Sequence, residues 1–70
     1  MTNVKLLKYN AYATSDKGVN YRAVCIGRDI NGVHTTHWRL CKVINDSRAD
    51  FVNDTEYNSP TEALSIIDTL

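Results

Sequence analysis

The chain has 70 residues and a mass of 7.9 kDa, and its eight Lys and Arg balance its eight Asp and Glu, so the formal net charge is zero. This length predicts that residues 1–70 form a single domain, and 43% hydrophobic residues are typical of a folded globular protein rather than a disordered one. No apolar run is long enough to cross a bilayer and no secretory signal is visible, so we expect no contact with a membrane. The two cysteines are expected to stay reduced, as in a cytoplasmic protein.

Charge is distributed unevenly along the chain. Residues 1–45 hold seven bases and two acids, a net charge of +5, whereas residues 46–70 hold one base and six acids, a net charge of −5. Two arrangements satisfy this pattern. The two parts of the chain neutralise each other in the fold, or the protein has one basic and one acidic surface, each able to steer a partner.

Three segments rich in strand-forming residues predict strands, at residues 4–13, 19–28 and 33–44, with a loop at 14–18. Asn31-Gly32 separates the second segment from the third. Because a type I′ turn needs positive φ at both central residues, this dipeptide is a strong signal for a hairpin. The turn sets Ile30 opposite Val33 and fixes the register of the two strands.

This register divides the sheet into two faces, since successive side chains alternate. One face combines a large aromatic with small residues and is predicted to lie under a helix: Tyr21, Ala23, Cys25, Gly27, Thr36, Trp38 and Leu40. The opposite face, here called the basic face, is predicted to be open: Arg22, Val24, Ile26, Arg28, Thr35, His37, Arg39 and Cys41. With Ala13 opposite Val19, the first strand adds Leu7, Tyr9 and Ala11 to the covered face and Leu6, Lys8, Asn10 and Tyr12 to the basic face.

The C-terminal segment predicts a helix. Ser59 and Glu62 form a capping box and Pro60 stands at the favoured first helical position. Apolar residues at helical spacing continue to Leu70, so the helix is predicted over residues 60–70. Residues 45–58 are ambiguous, with a short edge strand at 49–52 and with Phe51 and Tyr57 in the core. The predicted fold class is α+β, an antiparallel sheet of three to four strands with one C-terminal helix on one face.

The two cysteines and two histidines do not fit a metal site. Cys25 and Cys41 fall on opposite faces of the predicted hairpin, as do His34 and His37, so four ligands cannot converge and the cysteines cannot pair. Cys25 is interpreted as a small core residue and Cys41 as a partly exposed thiol. No catalytic motif is present, so we expect no enzyme activity, no catalytic residues, no cofactor and no metal.

The basic face is the strongest candidate for a functional surface. Apolar side chains at the centre of an open face, among arginines and an aromatic, are typical of an interaction site. The alternative is that the long arginine stems cover the apolar residues. The candidate partner-binding residues are Lys8, Tyr12, Arg22, Val24, Ile26, Arg28, His37 and Arg39.

A small neutral domain of this kind is expected to act by contact with another protein, as an inhibitor or adaptor. Its size and build resemble those of small inhibitors encoded by viruses and mobile elements, including anti-CRISPR proteins. The acidic residues 46–70 are a second candidate surface, and a homodimer is a further option. The alternative function is nucleic-acid binding, because a three-stranded sheet with a C-terminal helix resembles in outline the DNA-binding domains of AP2-type factors and integrase arm-binding domains. That resemblance implies that Arg22, Arg28 and Arg39 contact bases or phosphates.

Overall fold

The strands follow one another along the chain and pair in the same order in one antiparallel sheet. The computed structural model describes residues 1–70. The strands are β1 (Thr2–Leu6), β2 (Asn10–Thr14), β3 (Asn20–Ile30), β4 (Val33–Asn45) and β5 (Arg48–Phe51). A short helix, α1 (Pro60–Leu64), and a 3₁₀ turn (Ile67–Thr69) complete the fold. The predicted α+β class is therefore confirmed, but the sheet has five strands instead of three to four.

The long β3–β4 hairpin has the predicted register throughout. Ile30 faces Val33 at the turn, and the ladder continues without a shift to the pair Tyr21 and Lys42. Asn31 and Gly32 have φ angles of 52° and 78°, as a type I′ turn requires. The turn chemistry therefore fixes which side chains share a face along both strands.

The first predicted strand is in fact two strands. The chain reverses at Lys8 and Tyr9, where the Leu7 amide donates to the Asn10 carbonyl at 2.8 Å. Neither turn residue has a positive φ, so this turn carries no glycine or asparagine signal. The strand prediction over residues 4–13 was wrong at this point.

The split changes the faces assigned to the first segment. Ala13 pairs with Tyr21 rather than with Val19, a register shift of two residues that leaves Ala11 in the core. Leu7 and Tyr9, predicted in the core, are exposed. Leu6 was predicted on the basic face, but it pairs with Ala11 and so lies on the helix side.

Residues 45–58 run along the outer side of β4. Beyond β5, the Val52 amide donates to the Leu40 carbonyl at 3.1 Å, and Tyr57 exchanges backbone hydrogen bonds of 2.8 and 2.7 Å with Trp38. Residues 53–56 bulge away from β4 between these two contacts. Tyr57 is buried as predicted, whereas Phe51 pairs with Cys41 on the opposite face and is half exposed.

The C-terminal helix is capped as predicted but is shorter. The Ser59 Oγ accepts from the Glu62 amide at 3.1 Å. The helix ends at Leu64, where Ser65 takes the C-cap and its Oγ donates to the Glu62 carbonyl at 2.6 Å. Hydroxyl groups that bond to the preceding turn compete with helical hydrogen bonds, so the predicted helix over residues 60–70 becomes one helical turn followed by a 3₁₀ turn.

The core lies between α1 and the central strands β2, β3 and β4. On the sheet side, small alanines leave room for the helix beside the larger side chains of Tyr21, Trp38 and Leu40. The buried cluster comprises Ala11, Ala13, Tyr21, Ala23, Trp38, Leu40, Tyr57, Ala63, Leu64 and Ile67, with Cys25 and Ile66 packed against it. Neither helical segment has the length and apolar character that a membrane-spanning helix needs.

Candidate interaction surface

The β3–β4 hairpin extends beyond all other strands. The β2 ladder with β3 ends at Val24, and the last backbone contact to β4 from the C-terminal segment is at Trp38. Residues 26–37, here called the arm, therefore pair only with each other in the sheet. Five residues of each strand span about 17 Å and the turn lengthens the arm further, in keeping with molecular dimensions of 42 × 23 × 21 Å.

The two faces of the arm differ in character. On the helix side, His34 contacts Asp29, with Nδ1 and Oδ1 2.8 Å apart, and its ring lies so close to Gly27 that an added Cβ would come within 3.1 Å of it. On the basic face, Ile30 and Val33 form a cross-strand pair at the tip, and their exposed fractions are 58% and 60%. The arm is thus polar on one face and carries exposed branched aliphatic side chains on the other.

Acidic residues of the 53–56 bulge pair with basic residues of β3 and β4. Glu56 forms an ion pair with Arg28 and lies 3.7 Å from His37 Nδ1. Asp54 lies 3.7 Å from the Arg39 guanidinium. Part of the basic face is therefore neutralised by the acidic part of the chain, which is the first of the two arrangements considered for the uneven charge.

Arg39 covers the middle of the basic face. Its guanidinium carbon lies 3.7 Å from the centre of the Phe51 ring, and its Nη2 donates to the Asn53 carbonyl at 2.8 Å. Cys41, predicted as partly exposed, is buried in this region. Burial raises the pKa of the Cys41 thiol above its ordinary value, although the positive charges of Arg22 and Arg39 oppose the shift. A thiol in this state is protonated at neutral pH and is a poor nucleophile.

Arg22 differs from the other three arginines. Arg28, Arg39 and Arg48 each lie within 4.0 Å of a carboxylate of the chain. Arg22 has no such partner, and its Nε and Nη2 both donate to the side-chain oxygen of Asn10, at 2.9 and 2.6 Å. A neutral acceptor thus fixes this half-buried guanidinium in place and leaves its charge uncompensated.

Most of the predicted partner-binding residues share one face in the structure. The ladder places Tyr12, Arg22, Val24, Ile26, Arg28, His37 and Arg39 together on the basic face. Lys8 is the exception, because it lies in the β1–β2 turn with its ammonium 5.2 Å from the centre of the Tyr9 ring. Its assignment to the basic face was wrong for the same reason as the single-strand prediction.

Sequence reasoning missed the tip of the arm. The sequence predicts Ile30 and Val33 only as the residues that flank the turn. The predicted register already placed them on the face of Arg28, but it gave no sign that the neighbouring strands end before the arm does. Comparison of the chain with protein-family models, with curated proteins and with solved structures found no match.

Proposed function

We propose that this chain is a non-catalytic binding protein that acts, as an inhibitor or adaptor, by inserting its arm into a complementary surface of another protein. The observation that carries the proposal is the exposed pair Ile30 and Val33 at the end of a ribbon that no other strand supports. We further propose a cytoplasmic location, where the two free thiols stay reduced.

Physical arguments support the arm as the contact region. Two-stranded hairpins without further packing are marginally stable in water, and exposed aliphatic side chains on such a ribbon gain free energy when a partner covers them. The ion pair of Arg28 with Glu56 leaves little free charge on the arm. Recognition is therefore mainly apolar, with the basic side chains at the rim of the contact.

Substitution of both tip residues tests the proposal. We expect the double variant Ile30→Ser, Val33→Ser to keep its fold, since surface changes usually alter stability by less than about 0.5 kcal/mol. Binding to a protein partner isolated from the native host should weaken by about tenfold or more, because few residues supply most of an interface's affinity. The measurement is isothermal titration calorimetry with the purified partner, identified through a photo-crosslinking residue in place of Thr35, which lies on the same face of the arm and leaves both tip residues intact.

The matched control replaces an exposed isoleucine and valine elsewhere, in the double variant Ile44→Ser, Val4→Ser. Their exposed fractions, 47% and 52%, are close to those of the tip residues. Equal loss of binding in the control, or wild-type affinity in the tip variant, would contradict the proposal. If the wild type and the control variant form a dimer and the tip variant is a monomer, the partner that the arm contacts is a second copy of the chain.

Nucleic-acid binding is the alternative, and one feature favours it. The major groove of DNA admits a two-stranded β-ribbon of the kind that the arm forms. The charges oppose it, because Arg28 and Arg39 have carboxylates beside them and Asp29 adds a negative charge to the arm. Phosphate contacts would have to displace these carboxylates.

We expect no salt-dependent binding to random duplex DNA. Fluorescence anisotropy from low to physiological salt measures it, and phosphate-dominated binding has a steep dependence of affinity on salt. If the protein instead binds DNA at micromolar concentration with such a slope, and the double variant Arg22→Glu, Arg39→Glu does not, nucleic acid becomes the favoured partner in place of a protein. A far-ultraviolet circular dichroism spectrum of the same double variant distinguishes a loss of binding from a loss of fold.

A further inference from the structure

A groove lies on the basic face at the end of the sheet opposite the arm. Its volume is about 280 Å³, and it runs between β2 and the β4–β5 turn across β3. Its lining is mixed: Tyr12, Val43 and Ala49 are apolar, and Arg22, Asn45, Asp46, Ser47 and Arg48 are polar or charged. A cation beside apolar walls in a concave site is the usual composition of a pocket that orients a charged ligand group.

The guanidinium of Arg22 is available to a ligand. Asn10 occupies its Nε and one Nη2 hydrogen, and the structure shows no hydrogen bond from Nη1. The edge formed by Nη1 and Nη2 is therefore left for a planar acceptor with two oxygens, the geometry in which arginine binds carboxylates. Because Asn10 holds the side chain, little conformational entropy is lost on binding.

Charges around the groove leave it with a small net positive charge that attracts an anion. Lys5 lies opposite Tyr12 in the β1–β2 ladder and adds positive charge at one side. Arg48 is paired with Asp50, with an Nε to Oδ1 distance of 3.0 Å, and contributes little net charge. Asp46 also lines the groove and offsets part of this positive charge, so charge attracts an anion without selecting a carboxylate over phosphate.

A second groove continues the first past Tyr12 and Val43. Its volume is about 360 Å³, and side chains that carry hydrogen-bonding groups line it: Asn3, Thr14 and Asn20. Thr14 Oγ1 donates to Asn20 Oδ1 at 2.8 Å and accepts from Asn3 Nδ2 at 3.4 Å. The Asn3 side-chain oxygen and the Asn20 side-chain NH₂ are left to bond to the backbone of a chain segment. The continuous concave surface therefore fits an extended peptide better than it fits a small free anion.

We infer that this groove binds an acidic segment of the partner protein, with an Asp or Glu carboxylate on Arg22 and the neighbouring peptide lying across Tyr12 and Val43. The inference rests on the proposed function and deepens it, because it adds a second contact of defined chemistry to the apolar contact of the arm. The two sites lie on one face at opposite ends of the sheet, so one partner can contact both.

Nuclear magnetic resonance tests the groove without the partner. Uniformly ¹⁵N-labelled protein is titrated with acetyl-Ala-Glu-Ala-amide, and in parallel with the Gln peptide and with inorganic phosphate. With the Glu peptide, we expect the amide resonances of Tyr12, Arg22, Val43 and Ala49 to shift until the site is saturated, with a dissociation constant in the millimolar range. We expect the other two probes to bind about tenfold more weakly or not measurably. Shifts as large with phosphate, or none with the Glu peptide, would overturn the inference.

Variants assign the effect to the guanidinium. Arg22→Gln should abolish the shifts, and Asn10→Ala should weaken binding while the positive charge remains. Arg28→Gln is the matched control, since it removes an arginine of the same face outside the groove. If Arg22→Gln unfolds, Arg22→Lys keeps the charge without the planar fork and should lose most of the affinity; wild-type affinity in that variant would overturn the inference.

The proposed function of the arm and the inference about the groove can be contradicted independently of each other. The double variant Ile30→Ser, Val33→Ser should leave the peptide titration unchanged, because its substitutions lie at the far end of the sheet. Loss of the groove shifts with intact partner binding through the arm would remove this inference alone. An intact peptide titration with no role for the arm would leave the groove and remove the proposed function.

Discussion

Trp38→Ala should unfold the protein or destabilise it by about 3–5 kcal/mol, the usual cost of truncating a large buried aromatic. Trp38 is buried under the C-terminal segment, and its backbone exchanges two hydrogen bonds with Tyr57. A domain of this size has a net stability of only about 3–5 kcal/mol. The loss should therefore leave most of the population unfolded at 25 °C.

Urea denaturation followed by far-ultraviolet circular dichroism measures this effect, since the variant lacks the chain's one tryptophan and its fluorescence. Tyr9→Ala is the matched control, because it removes an aromatic side chain that is exposed, and it should change stability by less than about 0.5 kcal/mol. If the urea concentration at the midpoint of unfolding is the same for Trp38→Ala as for the wild type, the assignment of the core to the helix side of the sheet is wrong.

The parts of the fold that the sequence predicts correctly have local chemical signals. Asn31-Gly32 determines the β3–β4 register because its φ angles are positive, and this register then places Trp38 and Leu40 on the covered face. The start of α1 is equally local, since the Ser59 side chain bonds to the Glu62 amide. Each of these features depends on a few adjacent residues.

The errors arise where no local signal exists. The turn at Lys8 and Tyr9 adopts no positive φ, so neither residue needs to be glycine or asparagine. The segment therefore lacks the local signal that would divide it into two strands. The early end of α1 depends on the Ser65 hydroxyl bonding to the Glu62 carbonyl, which helical periodicity alone does not reveal. Both errors concern where an element stops rather than which type it is.

The candidate site was predicted in its composition, and neutralisation by the acidic residues was one of two arrangements considered, but the sequence did not indicate which arginines are neutralised. The register brings Arg22, Arg28 and Arg39 to one face, as expected from the sequence. Their different surroundings depend on the bulge at residues 53–56, which carries Asp54 and Glu56 back to that face. Such long-range pairing has no sequence signature, so Arg22 could not be singled out as the arginine without a carboxylate.

The alanines of the core predict a second large effect, on the packing between sheet and helix. Ala23 lies directly opposite Leu40 on adjacent strands, and both are fully buried. Leu40→Ala should cost about 2–5 kcal/mol through the cavity that it leaves. Ala23→Leu should cost about 1–3 kcal/mol, because the added side chain enters the space that Ala63 and Leu64 of α1 occupy.

The double variant should lose less free energy of unfolding than the two single variants lose in total. The larger side chain only moves from one strand to the residue opposite it, and cores tolerate changes that conserve volume. Urea unfolding of the wild type, both single variants and the double variant gives the coupling energy, expected at about 1 kcal/mol or more for neighbours in contact. Thr36→Leu, which adds a side chain at an exposed position of the same face, is the control for bulk alone. Simple additivity would mean that Ala23 and Leu40 do not share the space beneath α1, and that the helix instead moves to accommodate each substitution separately.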